Sequence, residues 1–83
     1  MSKDEHPRLG ASGEPVRDLH RRLLELGYSV ADIEVAEGAF GLDTEARLRG
    51  FQAERGLRQH GQLDPTTLAG LIEAGYLLGD RNL

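Results

Sequence analysis

The sequence predicts an all-α domain: a compact three-helix bundle in which one helix-launching turn is used twice. Three observations carry this expectation. Gly27-Tyr28, Gly56-Leu57 and Gly75-Tyr76 each close a stretch of apolar residues at helical spacing. Glycine followed by an apolar residue is the mark of a helix ending in the left-handed conformation, the next side chain folding back on the last turn. Residues 38–48 also align without a gap on residues 61–71, an internal repeat offset by 23. Finally, apolar residues recur at steps of 3 and 4, the period of one helix face.

The first helix is expected over 15–26. Pro15 suits a first helical position, Glu14 meets the positive end of the helix dipole, and Val16, Leu19, Leu23 and Leu26 form one stripe, with His20 and Leu24 beside it. The stretch Ser29 to Glu37 reads as a loop with room for one helical turn, anchored by Ile33 or Val35. The middle helix, over 42–55, is placed by the repeat: Gly38, Phe40, Thr44, Ala46 and Leu48 coincide with Gly61, Leu63, Thr67, Ala69 and Leu71. That register puts Gly41 at its N-cap, and Leu48, Phe51 and Arg55 on one face. The last helix, over 65–74, opens with Asp64 as N-cap and Pro65 behind it, and buries Leu68, Leu71 and Ile72. Residues 1–8 read as a flexible N-terminus, 9–76 as the domain and 77–83 as a C-terminal connector.

Composition narrows the function. Leu, Ile, Val and Phe make up 21 of 83 residues, about 25% and above the roughly 20% below which chains stay disordered. With no cysteine there is neither a disulfide nor a thiol nucleophile. No apolar run approaches the ~20 residues of a membrane span. A net charge of −4, and no Lys or Arg within residues 65–74, argue against a nucleic-acid partner. His6, His20 and His60 make no metal-binding spacing, and no nucleophile, base and acid assemble into a triad. The chain therefore reads as a non-enzyme with no cofactor and no metal, acting as a monomer.

Several side chains admit two roles. Phe40, between glycines, is either the floor of a ligand groove or a core anchor, and Leu63 at the equivalent place favours the anchor. Gly38 and Gly41 allow close approach of a ligand or supply turn geometry. Thr44 either bonds a ligand or caps the backbone, and Gln52 either faces a ligand or bonds a loop carbonyl. Arg17, Arg21, Arg22, Arg47 and Arg49 either grip carboxylates or form a solvated face laced by Asp18–Arg22 and Glu45–Arg49 pairs.

Residues 9 to 74 resemble a known family. Gly10-Ala11-Ser12-Gly13-Glu14-Pro15-Val16, with Leu19, Leu23 and Leu26-Gly27-Tyr28, resembles the opening of the peptidoglycan-binding-like domain, the three-helix repeat attached to many cell-wall hydrolases. Glu37-Gly38-Ala39-Phe40-Gly41-Leu42-Asp43-Thr44 is similar to that family's signature turn, Phe51-Gln52 and Gly56-Leu57 also match, and His60 to Thr67 resembles a second, degenerate copy. The family's usual aspartate is here Glu37 in the first turn and His60 in the second. The usual glycine of the second turn is Asp64, and the usual glutamine of the first helix is His20.

The resemblance implies a module that binds peptidoglycan or muropeptide fragments and targets an attached hydrolase or amidase. It implies an N-terminal copy from an actinobacterial amidase-type protein, with residues 73–83 leading to a second repeat. Its ligand-binding residues would be Glu37, Gly38, Phe40, Gly41, Thr44, Arg47 and Gln52. The cell wall is then the expected location. If Met1 is the native start, the polar opening lacks a signal peptide, and a cytoplasmic regulatory protein–protein module controlling wall synthesis is the alternative.

Overall fold

Four helices, where three were expected, follow one another in the computed structural model, which describes residues 6–81: α1 (Glu14–Glu25), α2 (Asp32–Glu37), α3 (Leu42–Glu54) and α4 (Pro65–Arg81). The additional one, α2, occupies the stretch read as a loop. Its six residues end at Gly38, whose φ of 62° is left-handed, and Ala39 N donates back to Glu34 O at 2.9 Å. So short a helix has too few turns to display a periodic apolar stripe, which is why the pattern missed it. Of its two expected anchors only Val35 packs on the core. Ile33 is 66% exposed, and Val30, just upstream, is the buried residue of this stretch.

The ends of α1 and α3 are the glycine turns expected from sequence. Tyr28 N donates to Leu23 O at 3.0 Å across Gly27, and Leu57 N to Gln52 O at 2.8 Å across Gly56. Each six-residue return bond satisfies a carbonyl that the helix end would leave open. The third expected ending fails. Gly75 is absent from the left-handed glycines, and α4 runs on to Arg81. A glycine permits the turn without imposing it, and the turn needs an apolar surface for the following side chain to cover. Tyr76 has none and is 74% exposed. Of the expected connector 77–83, residues 77–81 are thus helical; 82 and 83 lie outside the described residues.

The core consists of Val16, Leu19, Leu23, Val30, Phe40, Leu48, Phe51, Leu63 and Leu71. Ile72, expected on the buried side of the last helix, is 36% exposed, and Leu68 is partly buried. Gly70 of α4 faces the Phe51 ring of α3, and a Cβ there would lie in ordinary contact with it at 3.5 Å. Arg55, placed on the same face as Phe51, lies over that ring at 5.7 Å from its centroid.

The segment preceding α1 ties both repeated turns together. Phe40 N donates to Ala11 O and Gly10 N to Phe40 O, both at 2.9 Å, with an antiparallel bridge between Ser12 and Ala39. Leu63 N, the equivalent donor, reaches Pro7 O at 2.8 Å. Residues 1–5 of the expected flexible N-terminus lie outside the described residues.

Candidate functional site

Each copy of the repeat forms a corner: a left-handed glycine (Gly38, φ 62°; Gly61, φ 73°), a buried apolar residue (Phe40; Leu63), then a helix whose third residue is a buried threonine (Thr44; Thr67). A polar hub surrounds each threonine.

At the first corner the N-cap is Gly41, which has no side chain to cap with. Glu34, from α2, supplies the missing acceptor. Its carboxylate takes hydrogen bonds from Gly41 N (3.2 Å), Asp43 N (3.0 Å), Thr44 N (2.8 Å) and the Thr44 hydroxyl (2.6 Å). A Cβ on Gly41 would lie 2.5 Å from that carboxylate, so any larger residue here would displace Glu34 from its donors. Burial works against the Glu34 charge, but the bonds from Thr44, Asp43 and Gly41 outweigh it and hold its pKa below the ordinary value.

The ionised Glu34 fixes the protons around it. A carboxylate only accepts, so the Thr44 hydroxyl donates to Glu34, and its oxygen must accept from His20 Nε2 at 2.8 Å. Burial lowers the His20 pKa, against the opposing pull of the Glu34 charge and of the neighbouring Ala39 backbone carbonyl. The ring is therefore neutral, with its proton on Nε2. Its Nδ1 is buried beside the Ala39 backbone and makes no well-formed hydrogen bond.

The second corner closes its own account. Asp64, the expected N-cap, accepts from Thr67 N at 2.8 Å. Gln52 accepts from Gly61 N through Oε1 (3.0 Å) and donates through Nε2 to Thr67 Oγ1 (3.0 Å) and Gln62 O (3.1 Å). Because Gln62 N donates to His60 Nδ1, the His60 proton sits on Nε2, which donates to Asp64 at 2.8 Å. Burial raises the Asp64 pKa, but the bonds from Thr67 and His60 prevail and lower it.

The residues that sequence offered as ligand contacts thus divide. Phe40, Thr44 and Gln52 present almost no surface and hold the corners together as anchor, hub and loop clamp; Gly38 is buried too. Gly41 is pressed against Glu34. Glu37 and Arg47 are exposed, and Arg47 pairs with Asp43 at 3.3 Å. The arginine face is laced as expected, by Arg22–Asp18 at 2.8 Å and Arg49–Glu45 at 4.0 Å. Sequence reading missed Glu34. Its signal was indirect: a helix opening on glycine needs an acceptor from elsewhere, and an acidic stretch lay just upstream.

Two open cavities are large enough for part of a ligand. One, of about 360 Å³, lies between α1 and α2 beside the first hub, lined by Arg17, His20, Arg21, Leu24, Glu25 and Val35. The other, of about 340 Å³, lies at the opposite end, where Tyr28 meets Phe51 edge to face and is flanked by Glu54, Arg55, Leu26 and Ala74. Burial, aided by Glu54, raises the Tyr28 pKa, so its phenol stays neutral.

Comparisons with known proteins place this architecture. The family described as "Putative peptidoglycan binding domain" matches residues 12–77, which contain both corners. The crystal structure of the SleB N-terminal domain superposes with a TM-score of 0.77 at 32% identity, covering 90% of this chain and 99% of that one. An L,D-transpeptidase structure from Xylanimonas cellulosilytica DSM 15894 gives a TM-score of 0.77 at 31% identity over 89% of this chain. The chain spans 35% of that protein's structure. Among curated proteins the search found no match.

Proposed function

Because this chain belongs to the peptidoglycan-binding domain family, a family of non-catalytic modules, we propose that it binds peptidoglycan and brings an attached wall hydrolase, of amidase type, to its substrate. The observation that carries this reading is the family match over residues 12–77, in which both corners and the groove beside α1 are included. Attachment to a further domain is supported by the solved relatives: one is an N-terminal domain, and the other match takes up 35% of an L,D-transpeptidase structure.

Composition limits the manner of binding. Four aromatic residues and no tryptophan supply little surface for stacking sugars. Recognition therefore depends on hydrogen bonds and charge, chiefly toward the peptide stem. Glu37 and Arg47 are the exposed members of the residue set drawn from the family turn, while Phe40, Thr44 and Gln52 serve by holding that turn in shape. Affinity for one module should be weak, on the order of −7 to −4 kcal/mol, and a second linked module would raise retention through effective concentration.

Cosedimentation with purified sacculi tests the reading. The labelled domain should pellet in a saturable manner and be released by soluble muropeptides. A domain that stays in the supernatant at every wall loading would overturn it.

A further inference from the structure

His60 stands at the second corner where Glu37 stands at the first. Glu37 is exposed at the end of α2, whereas His60 is partly buried and has both ring nitrogens engaged. Its Nδ1 accepts from Gln62 N at 3.0 Å, and its Nε2 donates to Asp64 at 2.8 Å. The first of these is the bond that an aspartate or asparagine oxygen makes when it holds the backbone two residues further on. Such an oxygen has two lone pairs and goes on accepting in mildly acidic medium. A ring nitrogen has one, and that lone pair is where a neutral imidazole takes up its proton.

Among the described residues, the polar atoms within hydrogen-bond distance of Nδ1 are both donors: Gln62 N and, at 3.4 Å, Gln52 Nε2. The Gln52 amide cannot turn its oxygen toward the ring without stranding Gly61 N–H, which Oε1 accepts, while Nε2 serves Gln62 O and Thr67. Nε2 of the ring meets no such conflict, because Asp64 is held ionised in the fold and accepts from it in either state. The other titratable or charged groups on the elements around this loop are Glu45 and Arg49 of α3, which lie over Gly61, and His6 and Arg8, which flank the Pro7 carbonyl bound by Leu63 N. The His60 side chain is 26% exposed, so solvent protons reach it without unfolding.

We propose that His60 is a proton-operated latch on the second corner. A proton on Nδ1 sets it against Gln62 N–H donor to donor, and the 60–62 loop lets go of the ring. Asp64 keeps hold of Nε2–H and, through Thr67 N, of the start of α4. The loop is thus closed in neutral medium and open in mildly acidic medium, independently of what the module binds.

The test follows the ¹⁵N-labelled full chain from about pH 8 to about pH 5, the range in which histidines titrate. It reads ring and amide resonances together with hydrogen-exchange protection. The Gln62 amide should shift with the same midpoint as the His60 ring. Its protection factor should fall about tenfold, as for the loss of one hydrogen bond, while Thr67 keeps its own. His60→Asn supplies an oxygen that accepts from Gln62 N and does not titrate, so the chain should fold as before with a Gln62 amide insensitive to pH over this range. A Gln62 amide that stays protected throughout, or one that responds equally in His60→Asn, would overturn the proposal. So would loss of protection at Gln62 and Thr67 together, which marks unfolding of the corner rather than release of a latch.

Discussion

Phe40 and Leu63 sit in the same place in two corners 23 residues apart, with Thr44 and Thr67 equally matched behind them, yet the two helices they launch are secured differently. The second corner is capped from within. Its cap, Asp64, lies in the repeat itself, and its clamp, Gln52, satisfies the loop on both sides. The first corner borrows its cap from α2 through Glu34, and its clamp, His20, spends one proton and leaves one acceptor unused. The same kind of corner is therefore capped locally in one copy and from a neighbouring helix in the other. The copy capped from the neighbouring helix is the one beside an open groove.

The largest expected effects are on the anchors. Phe40→Ala should cost about 4 kcal/mol and Leu63→Ala about 3 kcal/mol, the difference following side-chain size and the tighter burial of Phe40. Urea denaturation of the two variants gives the order directly, and a costlier Leu63→Ala would break the equivalence of the corners. The clamps come next. Gln52→Ala strands Gly61 N–H and Gln62 C=O and should cost about 3 kcal/mol, whereas His20→Ala, which frees one bond and a smaller network, should cost about 2 kcal/mol.

The caps follow at about 2 kcal/mol for Glu34→Ala and about 1 kcal/mol for Asp64→Ala, because Glu34 holds four donors and the Asp64 carboxylate two. Both carboxyls have lowered pKa values in the fold, so the unfolded chain binds protons first. Their contribution is full above the ordinary carboxylate range and is lost as the pH falls through the folded values. Glu34→Gln and Asp64→Asn should each flatten part of the acid limb of stability against pH. An unchanged limb in the Glu34 variant would show that the borrowed cap carries no weight. The smallest effect has the opposite sign. His20→Gln should stabilise the fold by about 1 kcal/mol, since glutamine reproduces the Gln52 pattern and removes the orphaned acceptor, and thermal melting would register the gain. A loss of stability there would mean that the two clamps are not interchangeable.

The locally capped corner was also the legible one. Asp64, Pro65 and Thr67 announce a helix start within four residues, and Gly27-Tyr28 and Gly56-Leu57 announce ends within two, because each device is local in sequence. The repeat then transferred the second corner's register to the first and placed Gly41 and Phe40 correctly. What it could not transfer was the cap, since Glu34 lies seven residues before Gly41 on a helix too short to show a period. Gly75 misled for the converse reason: the local signal was present but the surface it needed was not. Of the residues offered as ligand contacts, Phe40, Thr44 and Gln52 carried the right chemistry for a corner, and their burial is a property of packing that residue type alone does not reveal.

The central claim is that Phe40, Thr44 and Gln52 hold the corners in shape and that ligand is met by exposed residues around the first of them. Titrating ¹⁵N-labelled protein with muropeptides released from sacculi by a muramidase measures this residue by residue. Shifts should gather at the exposed residues of the first turn, Glu37 and Arg47 among them, while the buried Gly61 and Thr67 stay unmoved. Shifts centred on the second corner, or none at saturating muropeptide, would contradict it.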